Sequence, residues 1–306
     1  MKLHQLVIIG SGPAGLTAGI YAARADIKPL IIEGKNPGGQ LLGTTDVENW
    51  PGEKSIMGPT LMMNMKAHAL HFGCQFSSDI VTAIDCSVLP FIITTNTKVQ
   101  LKANSVIIAT GAVPKRLGCP GEDTYWGKGV TTCAVCDGAF YRDKKVIVIG
   151  GGDTAMEDAS FMTKFTNQIT IIQNLDRLTA SAPMQRRILE NKATSVIYSS
   201  IVQEIHGNGT TVTGLTILNQ ITGNRETLAA DAIFIAIGLT PNTSIFKNQL
   251  ELDKHGYIVL KQHTMTSVEG IFACGDVTDY RYRQAITSAG SGCMAALDAE
   301  RFLAHY

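Results

Sequence analysis

The feature that most constrains the fold of this chain occurs twice. Gln5-Leu6-Val7-Ile8-Ile9 runs into Gly10-Ser11-Gly12-Pro13-Ala14-Gly15, and then into a helical pattern from Leu16 to Arg24. Lys145-Val146-Ile147-Val148-Ile149 runs into Gly150-Gly151-Gly152-Asp153-Thr154-Ala155, with a second helical pattern from Met156 to Phe165. An apolar strand follows each helix, Pro29 to Glu33 and Ile169 to Gln173. Strand, glycine turn, helix and strand in this order make the βαβ unit that binds dinucleotides. The first glycine permits the turn, the second lets the backbone approach a pyrophosphate, and the third position, glycine or alanine, lets helix and strand pack closely. The helix N-terminus then offers unpaired N–H groups and the positive end of its dipole to the phosphates. One such string alone is weak, since a glycine turn explains it. Two copies, each framed by a strand and a helix, predict an α/β chain with two Rossmann-like dinucleotide-binding domains.

Two further apolar strands end in glycine and are followed by a proline. They are Ser105 to Gly111, before Pro114, and Asp231 to Gly238, before Pro241. They read as exits from one domain into another, and the second fingerprint lies between them. The second domain is therefore expected as an insertion in the first, with 1–114 and 245–306 forming a discontinuous first domain and 115–244 the second.

In the first fingerprint the strand after the helix ends at Glu33, where an acid can accept hydrogen bonds from a ribose 2′-hydroxyl and repels a 2′-phosphate. FAD and NAD both suit it, and a solvated strand end explains the acid equally well. Near the C-terminus Ile271-Phe272-Ala273-Cys274-Gly275-Asp276-Val277 is a strand, a glycine and a carboxylate. Asp276 there can bind a flavin hydroxyl while Val277 packs beneath; a buried strand ending in a turn is the plainer alternative.

Cys133-Ala134-Val135-Cys136-Asp137 carries the chemistry. Two thiols separated by two residues close a small disulfide ring that supports reversible two-electron exchange. Zinc would need two further ligands at matching spacing, which Cys119 and the other thiols do not supply. Asp137 beside the pair could move the proton that disulfide reduction requires, or be an ordinary turn acid. Cysteines 74, 86, 119, 274 and 293 read as small apolar residues. The odd count and irregular spacing fit a cytoplasmic setting in which only Cys133 and Cys136 act together. The charge balance, 26 basic against 26 acidic residues, argues against a nucleic-acid partner. No apolar run approaches a membrane span.

These residues together resemble the low-molecular-weight thioredoxin reductases of bacteria, over nearly the whole chain. The resemblance covers Gly10–Gly15, Gly38-Gly39-Gln40-Leu41, Thr44-Thr45-Asp46-Val47-Glu48-Asn49-Trp50-Pro51-Gly52 and Ala109-Thr110-Gly111-Ala112. It continues through Cys133–Gly138, Gly150–Ala155, Gly275-Asp276-Val277 and the string from Tyr282 to Gly292. It implies FAD contacts at Gly10, Gly12, Pro13, Ala14, Glu33, Gln40, Asn49, Gly111, Gly275, Asp276, Arg283, Gln284 and Ala285. It also implies nicotinamide-nucleotide contacts at Gly150, Gly152, Asp153 and Thr154. Cys133 and Cys136 would be the redox pair and Asp137 the proton donor. The implied protein is a homodimer that passes electrons from NADPH through FAD and the cysteine pair to a thioredoxin disulfide, rotating one domain against the other between steps. Relatives that feed a peroxiredoxin usually carry an extra N-terminal redox domain, whereas the first fingerprint here begins at Gly10. A flavin redox sensor without turnover is a further alternative, against which the intact cysteine pair beside Asp137 weighs.

One segment departs from the resemblance. Arginines that hold the 2′-phosphate of NADPH are expected where this chain has Asn174, Leu175 and Thr179. Arg177 is shifted in register, and Asp176 disfavours a phosphate. Gln173 or Asn174 could instead bond a ribose hydroxyl, and Arg186 and Arg187 could substitute from the next helix or simply form a solvated face. The expected consequence is a weakened preference for NADPH, with NADH or a donor such as reduced ferredoxin in its place.

Overall fold

The structure is a computed structural model that describes residues 1–43 and 46–305; Thr44 and Thr45, part of one motif above, lie outside the described residues. It divides into two units, residues 1–113 with 239–306, and residues 114–238. The return crossing therefore falls at Gly238–Leu239, earlier than the expected position 245. The reason is local: Leu239–Pro241 is itself a strand, paired with Ala112–Pro114, and Asn242 is tied to Thr110 by hydrogen bonds in both directions.

The first stretch of chain supplies β1 (Lys2–Ile9), α1 (Pro13–Arg24), β2 (Leu30–Ile32), the short β3 (Asp46–Val47) and β4 (Ile56–Met57), and α2 (Gly58–His71). It continues with β5 (Gln75–Ser77), β6 (Val81–Asp85), β7 (Phe91–Thr95), β8 (Gln100–Ile108) and β9 (Ala112–Pro114). The inserted stretch holds α3 (Glu122–Tyr125), β10 (Val130–Thr131), α4 (Ala134–Asp137), β11 (Val146–Ile149), α5 (Asp153–Met162), β12 (Ile169–Ile172) and α6 (Ala182–Leu189). It closes with β13 (Thr194–Ile197), β14 (Ser200–Gly207), β15 (Val212–Asn219), β16 (Arg225–Ala229) and β17 (Ala232–Ile235). The chain then returns through β18 (Leu239–Pro241), β19 (Ile271–Ala273) and α7 (Ala285–Ala304).

In the first unit β5, β2, β1 and β8 run parallel in that order, and β19 joins parallel to the C-terminal half of β8, with Phe272 opposite Ile107. The N-terminal half of β8 pairs antiparallel with β7, which pairs with β6. In the second unit β10, β17, β11, β12 and β13 form an all-parallel sheet, and β14, β15 and β16 form a separate antiparallel one. Parallel strands covered on both faces read as continuous apolar runs rather than alternating ones. That is why β1, β11 and β17 are legible at once, as Leu6-Val7-Ile8-Ile9, Val146–Ile149 and Ala232–Ile235, every residue buried.

Both fingerprint helices begin three residues earlier than their apolar periodicity suggests. Pro13 opens α1 at a position where its missing N–H costs nothing, and Asp153 places an acid in the first turn of α5. The second helix stops at Met162 rather than Phe165, where the Thr163 hydroxyl caps the Ser160 carbonyl and Phe165 N–H turns back to Met162. Gly10 shows why the turn needs glycine: its φ is +110°, and a Cβ there would lie 2.2 Å from the Ala109 carbonyl oxygen.

Candidate active site

In the first unit four segments converge on the N-terminus of α1. Gly12 caps the helix and Leu16 N–H bonds its carbonyl at 3.0 Å. A Cβ on Gly12 would meet nothing within 4 Å, so space stands open before the helix N-terminus. Gly38–Gln40 runs beside it: a Cβ on Gly39 would be 3.4 Å from Gly12 Cα, and Gly38 N–H bonds the Ser11 hydroxyl. Gly275 abuts Ala14, since a Cβ there would be 2.9 Å from the Ala14 methyl. Helix α7 crosses at Gly292, where a Cβ would be 2.1 Å from the Ala14 carbonyl oxygen. The Gln40 amide donates to the carbonyl of Ala112, next to Gly111, at 2.6 Å, and Asn49 donates to Gln284 at 3.3 Å. Gln284 caps α7 in a reciprocal pair with Thr287, and Ala285 opens the helix.

Three observations test whether these residues suit FAD. Glu33 is buried at the end of β2, and its carboxylate accepts from Lys66 at 2.6 Å and Ser78 at 2.9 Å. Two of about four lone-pair directions are thereby used, leaving capacity for a ribose hydroxyl. Asp276 accepts from Ser288 at 2.8 Å; burial pushes its carboxyl above the usual range, which hydrogen-bond donors from a ligand would reverse. Arg283, at φ +51°, buries its Nε with no hydrogen-bond partner. A glycine-lined cradle before the helix, an acid short of donors and a donor short of an acceptor together fit a flavin dinucleotide.

In the second unit Gly150, Gly152, Asp153 and Thr154 form the equivalent turn, with Gly152 capping α5 and a Cβ there finding only Thr179 Oγ1, at 3.8 Å. The turn fits a second dinucleotide. In the same unit Cys133 and Cys136 are joined as a disulfide, with Cα atoms 5.3 Å apart. Cys133 caps α4, and its sulfur accepts the Cys136 N–H at 3.2 Å, a contact that favours a thiolate at Cys133 once the bond is opened. Asp137 ends the same helix. Burial holds its carboxyl above the usual range, opposed by a short hydrogen bond from the Thr131 hydroxyl. Thr131 Oγ1 also accepts from Cys133 N–H at 3.4 Å, so one side chain ties the acid to the disulfide. Tyr141 is pushed up by burial and then by Asp137. Cys74, Cys86 and Cys274 are buried thiols raised to about 11, 12 and 12, inert by ionisation. No cluster of candidate metal ligands occurs among the described residues.

Lys66, Ser78 and Thr131 escaped the sequence reading. The first two lie on other segments, far along the chain from Glu33. Thr131 stands only two residues before Cys133, a spacing that carries no signal unless the turn between them is known.

The chain matches the family described as pyridine nucleotide-disulphide oxidoreductase over residues 4–292. It is 47% identical over 310 residues to a thioredoxin reductase of Coxiella burnetii, covering 98% of this chain and 96% of that one. The chain belongs to the thioredoxin reductase family. A second thioredoxin reductase, from Streptomyces clavuligerus, is 47% identical over 305 residues, with 99% and 94% covered. Among solved structures, the thioredoxin reductase from Giardia duodenalis aligns with a TM-score of 0.95 at 45% identity, covering 99% of this chain and all of that one. The fold of the thioredoxin reductases, with two Rossmann-like nucleotide-binding regions, is therefore the fold of this chain. FAD and a nicotinamide nucleotide are the cofactors of the family.

Proposed function

We propose that the chain is a thioredoxin-disulfide reductase. A nicotinamide nucleotide gives up two electrons, and these reach the Cys133–Cys136 disulfide by way of FAD and leave it for the disulfide of a thioredoxin. The observation that carries this reading is the closed Cys133–Cys136 ring with Asp137 and Thr131 attached, in a nearly full-length relative of thioredoxin reductases.

Bound FAD supplies two-electron chemistry that the side chains lack. The chain's own residues do the rest. Gly10 would permit the turn, Gly12, Pro13, Ala14 and Gly111 would border the pyrophosphate, Glu33 would hold the ribose, and Asp276, Arg283, Gln284 and Ala285, with Gln40 and Asn49, would hold the flavin end. Opening the Cys133–Cys136 bond with two electrons leaves two sulfur anions. Asp137, a proton-holding acid because it is buried, neutralises one, and Cys136 N–H steadies the other at Cys133. The Cys133 thiolate then attacks a thioredoxin sulfur. A mixed disulfide forms, Cys136 displaces the thioredoxin thiolate, and the ring closes again. Two electrons have moved to thioredoxin, with one proton passed on by way of Asp137 and Cys136 and the second taken from solvent.

The same reading assigns a homodimer and a cytoplasmic setting. Exposed Met63 and Leu70 on α2, and Ile286 and Met294 on α7, offer apolar surface for a second copy. Among the described residues no helix is long and apolar enough to cross a membrane. The test is a coupled assay with thioredoxin. Cys133→Ser and Cys136→Ser should each abolish turnover while the protein stays yellow. Full turnover with both serines in place would overturn the assignment.

A further inference from the structure

The nicotinamide nucleotide of the second unit is distinguished by its adenosine ribose, which carries a 2′-hydroxyl in NADH and a 2′-phosphate in NADPH. In a βαβ unit that ribose meets the residue at the end of the second strand, where an acid or other hydroxyl-binding group selects NADH and a nearby arginine accommodates the phosphate. Here the second strand is β12 and the next residue is Gln173.

Gln173 is 4% exposed and lies against the glycine turn: a Cβ on Gly151 would be 2.4 Å from its Nε2. Both ends of its amide are engaged by the loop that follows. Nε2 donates to the Arg177 carbonyl at 3.0 Å, and Oε1 accepts from Asn174 N–H at 3.1 Å. The loop is fastened elsewhere too. Thr179 and Ala180 N–H bond the Gly151 carbonyl at 2.8 and 3.0 Å, Ser199 N–H holds the Leu175 carbonyl at 2.9 Å, and Gln220 holds the Asn174 carbonyl at 2.8 Å. Residues 173–180 thus form a braced cap whose groups nearest the turn are uncharged: the Gln173 amide, the Thr179 hydroxyl and backbone.

The charges around the cap are wrong for a phosphate. Between Gly150 and Tyr198 the cations are Lys164, Arg177, Arg186, Arg187 and Lys192. Lys164 sits over the Phe161 ring, and Lys192 lines a cavity with Lys145 at the N-terminal ends of the strands, the opposite end of the sheet from the glycine turn. Arg177 points outward, its side chain 75% exposed, and pairs with Asp176 at 3.1 Å. Arg186 and Arg187 are exposed in the last turn of α6. Asp153 and Asp176 meanwhile bring carboxylates to the turn and to the cap. A phosphate monoester carries roughly −1.5 to −2 charges at neutral pH. Each charge-assisted contact it fails to make weakens binding about ten- to hundred-fold.

We propose that the donor nucleotide of this chain is NADH, with Gln173 and the braced 173–180 cap as the element that selects it. This rests on the reductase reading above. NADH supplies a hydride, two electrons and a proton, and a second proton comes from solvent; the products are NAD⁺ and the reduced dithiol.

The test is equilibrium binding of NAD⁺ and NADP⁺ to the FAD-loaded full chain by calorimetry, with 5′-AMP and 2′,5′-ADP as ribose-end probes. NAD⁺ should bind at least as tightly as NADP⁺, and 2′,5′-ADP no more tightly than 5′-AMP. Asp176→Asn alone should narrow the gap by a few-fold. Asn174→Arg with Leu175→Arg and Thr179→Arg should shift the ratio at least hundred-fold toward NADP⁺. A ten-fold or larger NADP⁺ preference in the unaltered protein overturns the proposal. So does failure to bind either nucleotide while dithionite-reduced protein still reduces thioredoxin through Cys133 and Cys136, which leaves the reductase reading intact. If dithionite-reduced protein leaves thioredoxin oxidised, both readings fall.

Discussion

Asp137 is a carboxyl that burial keeps protonated beyond the usual range, and Thr131 is the side chain that limits how far. Losing the Thr131 hydroxyl removes a donor to the charged form, so the proton is held still more tightly. Thr131→Val should therefore move the alkaline fall of kcat to higher pH with the disulfide intact. Asp137→Asn should lower kcat by about 10²–10⁴-fold while leaving the flavin spectrum unchanged. The two also differ in stability. A carboxyl whose pKa is higher in the folded chain than in the unfolded one stabilises the fold at acid pH, and that contribution is lost as pH rises through the folded value. Asp137→Asn should thus gain in melting temperature over the parent at pH 7–8, with the gain shrinking as the medium is acidified. Lys66 holds the buried Glu33 by an ion pair at 2.6 Å. Lys66→Met should cost about 1–3 kcal/mol of stability and speed FAD loss, measured by thermal melts and flavin release. At this scale the cysteine pair and Asp137 are legible because their chemistry lies within five consecutive residues. Lys66 is not, because nothing in the chain before folding relates it to Glu33.

The elements differ in the same way. Every strand–glycine–helix join declared itself through apolar runs and small residues. The β14–β16 sheet did not. β14 and β15 mix buried, half-buried and exposed positions without regular alternation, β16 is mostly exposed, and two register shifts interrupt β14 against β15. Such strands acquire their partners from tertiary contacts rather than from local pattern. The contact of α7 with α1 was equally hidden. Gly292 looks like an ordinary glycine in a helix, yet a Cβ there would press into the Ala14 carbonyl. Gly292→Ala should push the helices apart at the mouth of the flavin cradle. A loss of about 1–3 kcal/mol and a fall in bound FAD are expected, by melting and by the ratio of 450 to 280 nm absorbance.

At the scale of the whole molecule, each unit has its own sheet with apolar clusters on both faces. Residues 114–238, expressed alone, should fold cooperatively and form the Cys133–Cys136 disulfide without binding flavin. Circular dichroism and thiol titration would show it; a fragment that stays unfolded would mean that the inserted unit leans on the other for its stability. The glycine turns made the insertion readable, while the position of the second crossing depended on the pairing of Leu239–Pro241 with β9, which no local pattern marks.

Strand β19 enters the first sheet beside β8, and α7 covers α1, yet both are encoded after the inserted unit. Synthesis from the N-terminus therefore delivers residues 114–238 complete while the first unit still lacks a strand and its covering helix. On the ribosome the inserted unit can close first, and the flavin can be captured only when the last forty or so residues have emerged.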